Sequence, residues 1–205
     1  MKTPVFIICL FLACTLAGQP ENILNNGSFE QDGKALLSTV PMGWINYGFV
    51  RHSPPDVHSS TSNFFDVSRP AAHGDHFVGL VTRSNETWEI MGQELNAPLE
   101  IGKQYIFTVF LASNQYYRSI DATTMQNANY TAPVILRIYG MVQKQKIMLA
   151  ETGVIDHEEW KKYQMKFQAE FAFQQLLLEV YYADNIKRNS NGNLLIDGCV
   201  LLKSE

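Results

Sequence analysis

Ile23-Leu24-Asn25-Asn26-Gly27-Ser28-Phe29-Glu30 opens the portion of the chain that reads as folded protein, and Asn193-Leu194-Leu195-Ile196-Asp197-Gly198-Cys199-Val200-Leu201-Leu202 closes it. The first stretch holds a turn dipeptide, Asn26-Gly27, followed by Phe29 and the carboxylate of Glu30. The second alternates as a strand, with one acid, Asp197, among apolar residues. A carboxylate in that setting is costly unless it is paired or bound to a cation. Glu30 is the natural other half of such a site, so the two ends are expected to lie side by side.

Between these ends the text alternates by two wherever it is apolar. Gln104–Ala112 is the clearest strand, with Tyr105, Phe107, Val109 and Leu111 on one face and Ile106, Thr108 and Phe110 on the other. Both faces are largely apolar, which predicts a central position. Val134–Val142, Lys162–Gln168 and Gln175–Tyr182 follow the same period, and Trp44–Val50, Phe77–Val81 and Thr87–Leu95 read as shorter strands. Residues 51–75 form a long polar stretch from which Pro54, Pro55 and Pro70 exclude regular helix. Residues 113–132 read as a second long loop. About ten strands, no helical period and no internal repeat predict an all-β jelly-roll sandwich of antiparallel strands.

The start of the chain reads as a secretory leader over residues 1–18: Lys2, an apolar run Val5–Ala13 too short to span a bilayer, then the small residues Ala17 and Gly18. Residues 19–205 are then one domain, exported, with no membrane span. Sixteen basic against twenty acidic residues give a net charge of −4, and loss of Lys2 makes it −5. That balance argues against a nucleic-acid partner. Of the three cysteines, Cys9 and Cys14 fall in the leader, so Cys199 has no intramolecular partner and reads as a small buried apolar residue. Glycosylation acceptors stand at Asn26, Asn85 and Asn129, of which Asn85 and Asn129 lie in the more loop-like text.

The order Leu-Asn-Asn-Gly-Ser-Phe-Glu, Gly-Trp, Gly-Lys-x-Tyr-x-Phe-x-Val, Trp-x-x-Tyr-x-x-x-Phe and Leu-Leu-Ile-Asp-Gly-x-x-Leu resembles jelly-roll carbohydrate-binding modules and their galactose-binding-like relatives over nearly all of the mature chain. The resemblance implies that fold, and a structural calcium joining the first and last strands, with Glu30 as the early acidic ligand and Asp197 as the late one. It also implies that Trp44 and Trp160 pack the core.

A sugar site uses aromatic platforms for the C–H face of a pyranose and polar neighbours for its hydroxyls. Trp88, Tyr47, Tyr116 and Tyr117 are the candidates, standing in or beside loop text. His52, Asp56, His58, His73, Asp75 and His76 are a possible metal or acid–base set, but their spacing matches no metal motif and reads first as a solvated loop. No nucleophile elbow, zinc-protease helix or phosphate-binding loop appears. The expectation is a secreted, non-enzymatic protein that binds an extracellular glycan or matrix component. The alternative is a structural component of a matrix such as shell, skeleton, cuticle or adhesive layer, without a sugar pocket. A third reading, a glycoside hydrolase, would draw its carboxylates from Glu86, Glu89 and Glu94.

Overall fold

The computed structural model describes residues 22–184 and 186–204; the leader expected over residues 1–18 lies outside them. Twelve strands follow in order: β1 (Ile45–Asn46), β2 (Asp56–Ser59), β3 (His76–Thr82), β4 (Ile90–Glu94), β5 (Gln104–Ala112), β6 (Arg118–Ile120), β7 (Asn127–Asn129), β8 (Val134–Val142), β9 (Gln145–Glu151), β10 (Lys161–Gln168), β11 (Gln175–Tyr182) and β12 (Gly192–Lys203). Ten of them form two five-stranded sheets, β1-β4-β11-β8-β9 and β10-β5-β12-β3-β2, and β6 and β7 pair as a separate hairpin. Every pairing is antiparallel. This is the jelly-roll sandwich that the alternation predicts.

The core between the sheets follows from the two-residue period. β5 turns Tyr105, Phe107, Val109 and Leu111 inward, and β11 opposes them with Leu176, Leu178 and Val180. β8 adds Val134, Leu136 and Ile138, and β12 adds Leu194, Ile196 and Leu201. Phe29 and Trp44 close one end of the core, their ring centroids 5.3 Å apart. Trp160 lies instead in a second cluster outside the β10-β5-β12-β3-β2 sheet, with Phe77, Val81, Tyr117, Tyr130 and Leu195. Its indole donates to the Pro70 carbonyl, and the Arg69 guanidinium lies over it.

The ends meet as expected, but not as two strands. Residues 23–28 make turns, and their backbone bonds β12 only at intervals: Ile23 N–H donates to the Leu201 carbonyl and Cys199 N–H to that of Gly27. β12 carries a bulge between Asp197 and Val200, with Gly198 at φ 60°. The extra residue frees Cys199 N–H from β5 and turns it toward Gly27. Trp44–Val50 supplies only two residues of strand: Tyr47 N–H still donates to the Ile90 carbonyl in the same register, and the chain then bends at Gly48. The two long polar stretches are more ordered than their composition suggests: 51–75 contains β2 and a 3-10 turn at Phe64–Asp66, and 113–132 contains the β6–β7 hairpin.

A methyl group on Gly27 would sit 1.9 Å from the Cys199 carbonyl oxygen, with backbone on the other side and nowhere to move. Gly27→Ala is therefore expected to lower unfolding stability by about 2–4 kcal/mol in a urea titration. Gly153→Ala, where a Cβ meets nothing within 4 Å, should stay near wild type. Equal midpoints for the two variants would remove the closure of the ends from the account of stability.

Candidate functional site

The outer face of the β1-β4-β11-β8-β9 sheet is where functional side chains gather. Residues that point away from the core form transverse rows. Glu94, Gln175, Met141 and Lys146 face one another across the strands, as do Gly92, Leu177, Tyr139 and Met148, and then Ile90, Glu179, Arg137 and Glu151. Trp88 and Tyr181 continue the pattern at one end, their rings edge to face with centroids 4.8 Å apart. Tyr47 reaches over Gly92, where any side chain would meet its ring. Two of the four predicted platform residues, Trp88 and Tyr47, are thus brought to one face, and Tyr139 and Tyr181 join them. The latter pair sits in regular strands, where an aromatic residue reads as core, so only the assignment of β8 and β11 faces could have found them.

The face is polar around its rings. Tyr139 hydroxyl donates to Glu179 at 3.0 Å, and Lys146 both pairs with Glu179 and lies 4.1 Å above the Tyr139 ring. Arg137 pairs with Glu151 at 3.2 Å and stacks 3.8 Å from the Tyr181 centroid. Burial, reinforced by the Glu179 charge, pushes the Tyr139 hydroxyl up to about 12, so it stays a donor at neutral pH. The Trp88 indole N–H is shielded from solvent with no acceptor among the described residues. A groove of about 380 Å³ opens beside Tyr47, with the side chains of Gln143, Lys144, Gln174, Gln175 and Met141 around it.

Tyr116 and Tyr117 lie elsewhere, over the β10-β5-β12-β3-β2 sheet. Tyr116 is half exposed with Arg118 above its ring. Tyr117 is 1% exposed, stacked on Phe65, so it presents no ring face to solvent. The 113–132 segment folds back as the β6–β7 hairpin and covers it, which loop-like text did not reveal.

Glu30 and Asp197 do not share an ion-sized space. Glu30 accepts from Asp75 and His76 N–H, at 3.0 and 3.2 Å, and its other oxygen meets His76 Nδ1 at 3.1 Å. Asp197 accepts from His73 N–H at 2.7 Å and Gly198 N–H at 2.6 Å. Calcium takes six to eight oxygens, whereas these oxygens face N–H donors, and no cluster of three or more His, Cys, Asp or Glu suited to a metal occurs among the described residues. The donor set does not fit calcium; the two acids instead pin the 72–76 loop to both ends of the chain.

The polar loop residues separate likewise. His58 is buried, stacked on Phe77 at 5.1 Å, and neither ring nitrogen has a partner among the described residues. Burial lowers its pKa to about 4. Glu89 is buried against Arg83, and Glu94 lies on the other side of the same strand, so the three proposed carboxylates do not converge. Asn85 occupies the β3–β4 turn, where Thr87 hydroxyl donates to its side-chain oxygen at 2.7 Å. The Asn129 amide bridges Gln115 and Tyr117, and the Asn26 amide holds the Glu30 and Met42 carbonyls. Of the three acceptors, Asn85 has the side-chain nitrogen least committed to the fold.

No family model matches the sequence, and no curated protein matches it. Solved structures do share the fold. A cyclase from Fischerella sp. TAU is 14% identical, with 91% of this chain and 98% of that chain covered at a TM-score of 0.58. The CBM22-1 xylan-binding domain of Paenibacillus barcinonensis Xyn10C is 16% identical, with 90% and 95% covered at 0.53. The cleaved K2 adhesin domain of Lys-gingipain is 7% identical, with 87% and 96% covered at 0.51. The chain is a jelly-roll sandwich of the kind found in carbohydrate-binding modules.

His58 gives the fold a pH signature of known sign. Its folded pKa, about 4, lies below the ordinary 6.5. The unfolded chain therefore takes up a proton in that window which the folded chain refuses, and stability drains as pH falls from 6.5 to 4. His58→Phe keeps a ring on Phe77 and removes the titration. Its stability relative to wild type is expected to rise as pH falls through this window, by up to about 3 kcal/mol, in denaturation curves taken at several pH values. A difference that does not vary with pH would mean that His58 is solvated in the folded protein.

Proposed function

We propose that this is a secreted, non-enzymatic protein whose β1-β4-β11-β8-β9 outer face binds an extracellular glycan. The observation that carries the reading is the set of aromatic rings, Tyr47, Trp88, Tyr139 and Tyr181, interleaved on one sheet face with Arg137, Glu179, Lys146 and Gln175. Aromatic faces suit the C–H surface of a sugar ring, and charged and amide groups between them suit its hydroxyls. Arg137 and Lys146 now lie over two of those rings. Tyr139 and Tyr181 are each 9% exposed beneath these cations, and desolvated contacts of this type are worth about 2 kcal/mol. A sugar ring therefore reaches them only by displacing Lys146 and Arg137, whereas Tyr47 and Trp88 are the less buried rings of the set. The xylan-binding domain among the structural neighbours supports the reading by fold alone, and the leader-like residues 1–18 support export.

A second reading, a structural component of an extracellular matrix, rests on a different feature. Leu36, Leu37, Met42, Ile45, Phe49 and Val50 are all exposed within fifteen residues, Val50 at 88%. Apolar surface of that density favours contact with protein.

A glycan array followed by titration of the best ligand separates the two. Selective binding is expected, and Trp88→Ala and Tyr47→Ala are each expected to weaken it about tenfold or more while circular dichroism stays unchanged. An array with no selective ligand, or a ligand whose affinity ignores both substitutions, would remove the platform and favour the matrix reading.

A further inference from the structure

A second polar pocket, of about 180 Å³, lies at the opposite side of the β3–β4 turn, beneath the 51–56 loop and the β6–β7 hairpin. Its floor is a group of charges taken out of solvent. Arg83 is 6% exposed, Glu89 2% and Asp56 6%. The guanidinium is used unevenly. Nη2 donates to Glu89, to the Ser53 carbonyl and to the Ser53 hydroxyl, the last two at 3.2 and 2.9 Å. Nη1 is buried with no acceptor among the described residues. A charged donor left without a partner costs more than an ordinary hydrogen bond contributes, so an acceptor belongs beside it. Asp56 is used unevenly as well. Oδ1 accepts Ser38 N–H at 2.6 Å, while Oδ2 has, among the described residues, only the Tyr117 hydroxyl, at 3.5 Å. The pocket thus offers one free donor and one nearly free acceptor, beside a wall of stacked rings, Phe65 on Tyr117 at 5.0 Å. Two residues of its lining, Arg51 and Phe65, hold left-handed backbone at φ 71° and 55°, a strained conformation for such side chains.

We infer that this pocket is a binding site for a small, neutral, polyhydroxylated molecule, one of whose oxygens accepts from Arg83 Nη1 while a hydroxyl donates to Asp56 Oδ2. The site is separate from the sheet-face platform and does not depend on it. An anion would satisfy Arg83 but would face the Asp56 and Glu89 carboxyls together. A plain cation would satisfy Asp56 and leave Nη1 unpaired. A hydroxyl both donates and accepts, which is the pair of roles left open, and of the two stacked rings only Phe65 is partly exposed to meet the C–H face that a polyol or sugar carries on its other side. The volume equals about six waters at ~30 Å³ each, which fits a single ring or a short polyol and not an oligosaccharide.

The test is titration of the full chain with glycerol, myo-inositol, glucose, galactose, mannose and xylose, followed by amide chemical shifts, with acetate and phosphate as anion probes. At least one polyol is expected to shift amides of residues 51–56, 83 and 117–122. Asp56→Asn, which keeps the acceptor for Ser38 N–H, is expected to weaken that binding about tenfold or more, the loss of one hydrogen bond to a charged group. Tyr117→Phe serves as a second variant, with a smaller loss of the same sign and the ring stack intact. Shifts confined to Tyr47, Tyr139 and Tyr181 would assign the polyol to the platform and overturn the pocket. Acetate or phosphate binding in place of the polyols would overturn the ligand class, and no shift with any probe up to tens of millimolar would overturn the site. Failure of the platform reading would show separately, as a glycan array without a selective ligand.

Discussion

The bulge in the last strand is the constraint on which the rest of the molecule depends. β12 runs through the middle of its sheet, with β5 on one side and β3 on the other. Within it, one irregular step at Asp197–Gly198 does three things at once. It turns the Asp197 carboxylate onto the His73 N–H, it sends the Cys199 N–H to Gly27, and it lets the β5 register resume at Val200. Burial pushes the Asp197 carboxyl up to about 6, against the pull of the amides that donate to it. The acid is therefore held at a cost, and the cost is offset by fixing both the opening turn and the loop that leads into β3. Glu30 repeats the arrangement from the other end of the chain by capping Asp75 and His76. Two carboxylates then hold one loop between the ends of the polypeptide, a role that backbone amides fill without an ion.

From that frame the two outer faces of the sandwich diverge. Over the β10-β5-β12-β3-β2 sheet, the 51–75 and 113–132 segments build a second layer with its own apolar cluster of Val67, Phe77, Val81, Tyr117, Tyr130 and Leu195. Among the described residues the other sheet receives no such layer: the 45–50 bend, with Tyr47 and Phe49, leans over its edge, and Lys146 and Arg137 lie over its rings. The side that lacks a second layer is the side where rings and charges alternate across the strands.

How much of this was legible follows from what a sequence period records. Alternation in 104–112, 134–142 and 175–182 marked strands correctly, because the face between the sheets takes aliphatic and aromatic residues while polar groups such as Thr108, Arg137 and Glu179 fall on the other. The meeting of the ends was legible from other text, the Asn26-Gly27 turn and the Ile-Asp-Gly step. What alternation did not record is the identity of the outward face. Tyr139 and Tyr181 look like core aromatics until β8 and β11 are paired, whereas Tyr117 looks like loop until β6 and β7 fold over it. The acids gave the opposite lesson. Asp197 was read as a costly acid and Glu30 as its neighbour, and both do bond the 72–76 loop, but the sequence does not contain the direction of a neighbouring N–H, and that direction decides between an ion and an amide as partner.

The short hairpin from β3 into β4 shows why one chain can serve two separate surfaces. Trp88 and Glu89 are consecutive, and at the start of an extended strand consecutive side chains leave on opposite sides. Trp88 therefore joins Tyr181 and Phe49 on the open sheet face, while Glu89 turns back to Arg83 and the Val81 N–H beneath the loops. The Tyr182 hydroxyl donates to the carbonyls of Arg83 and Thr87 and holds the turn between them. The position of the Trp88 ring is thus set by the same few bonds that bury Arg83 and Glu89. A substitution that loosens the buried ion pair should move the half-buried Trp88 ring, so any measured effect of Arg83 or Glu89 on glycan binding reads first as displacement of Trp88 and only then as contact.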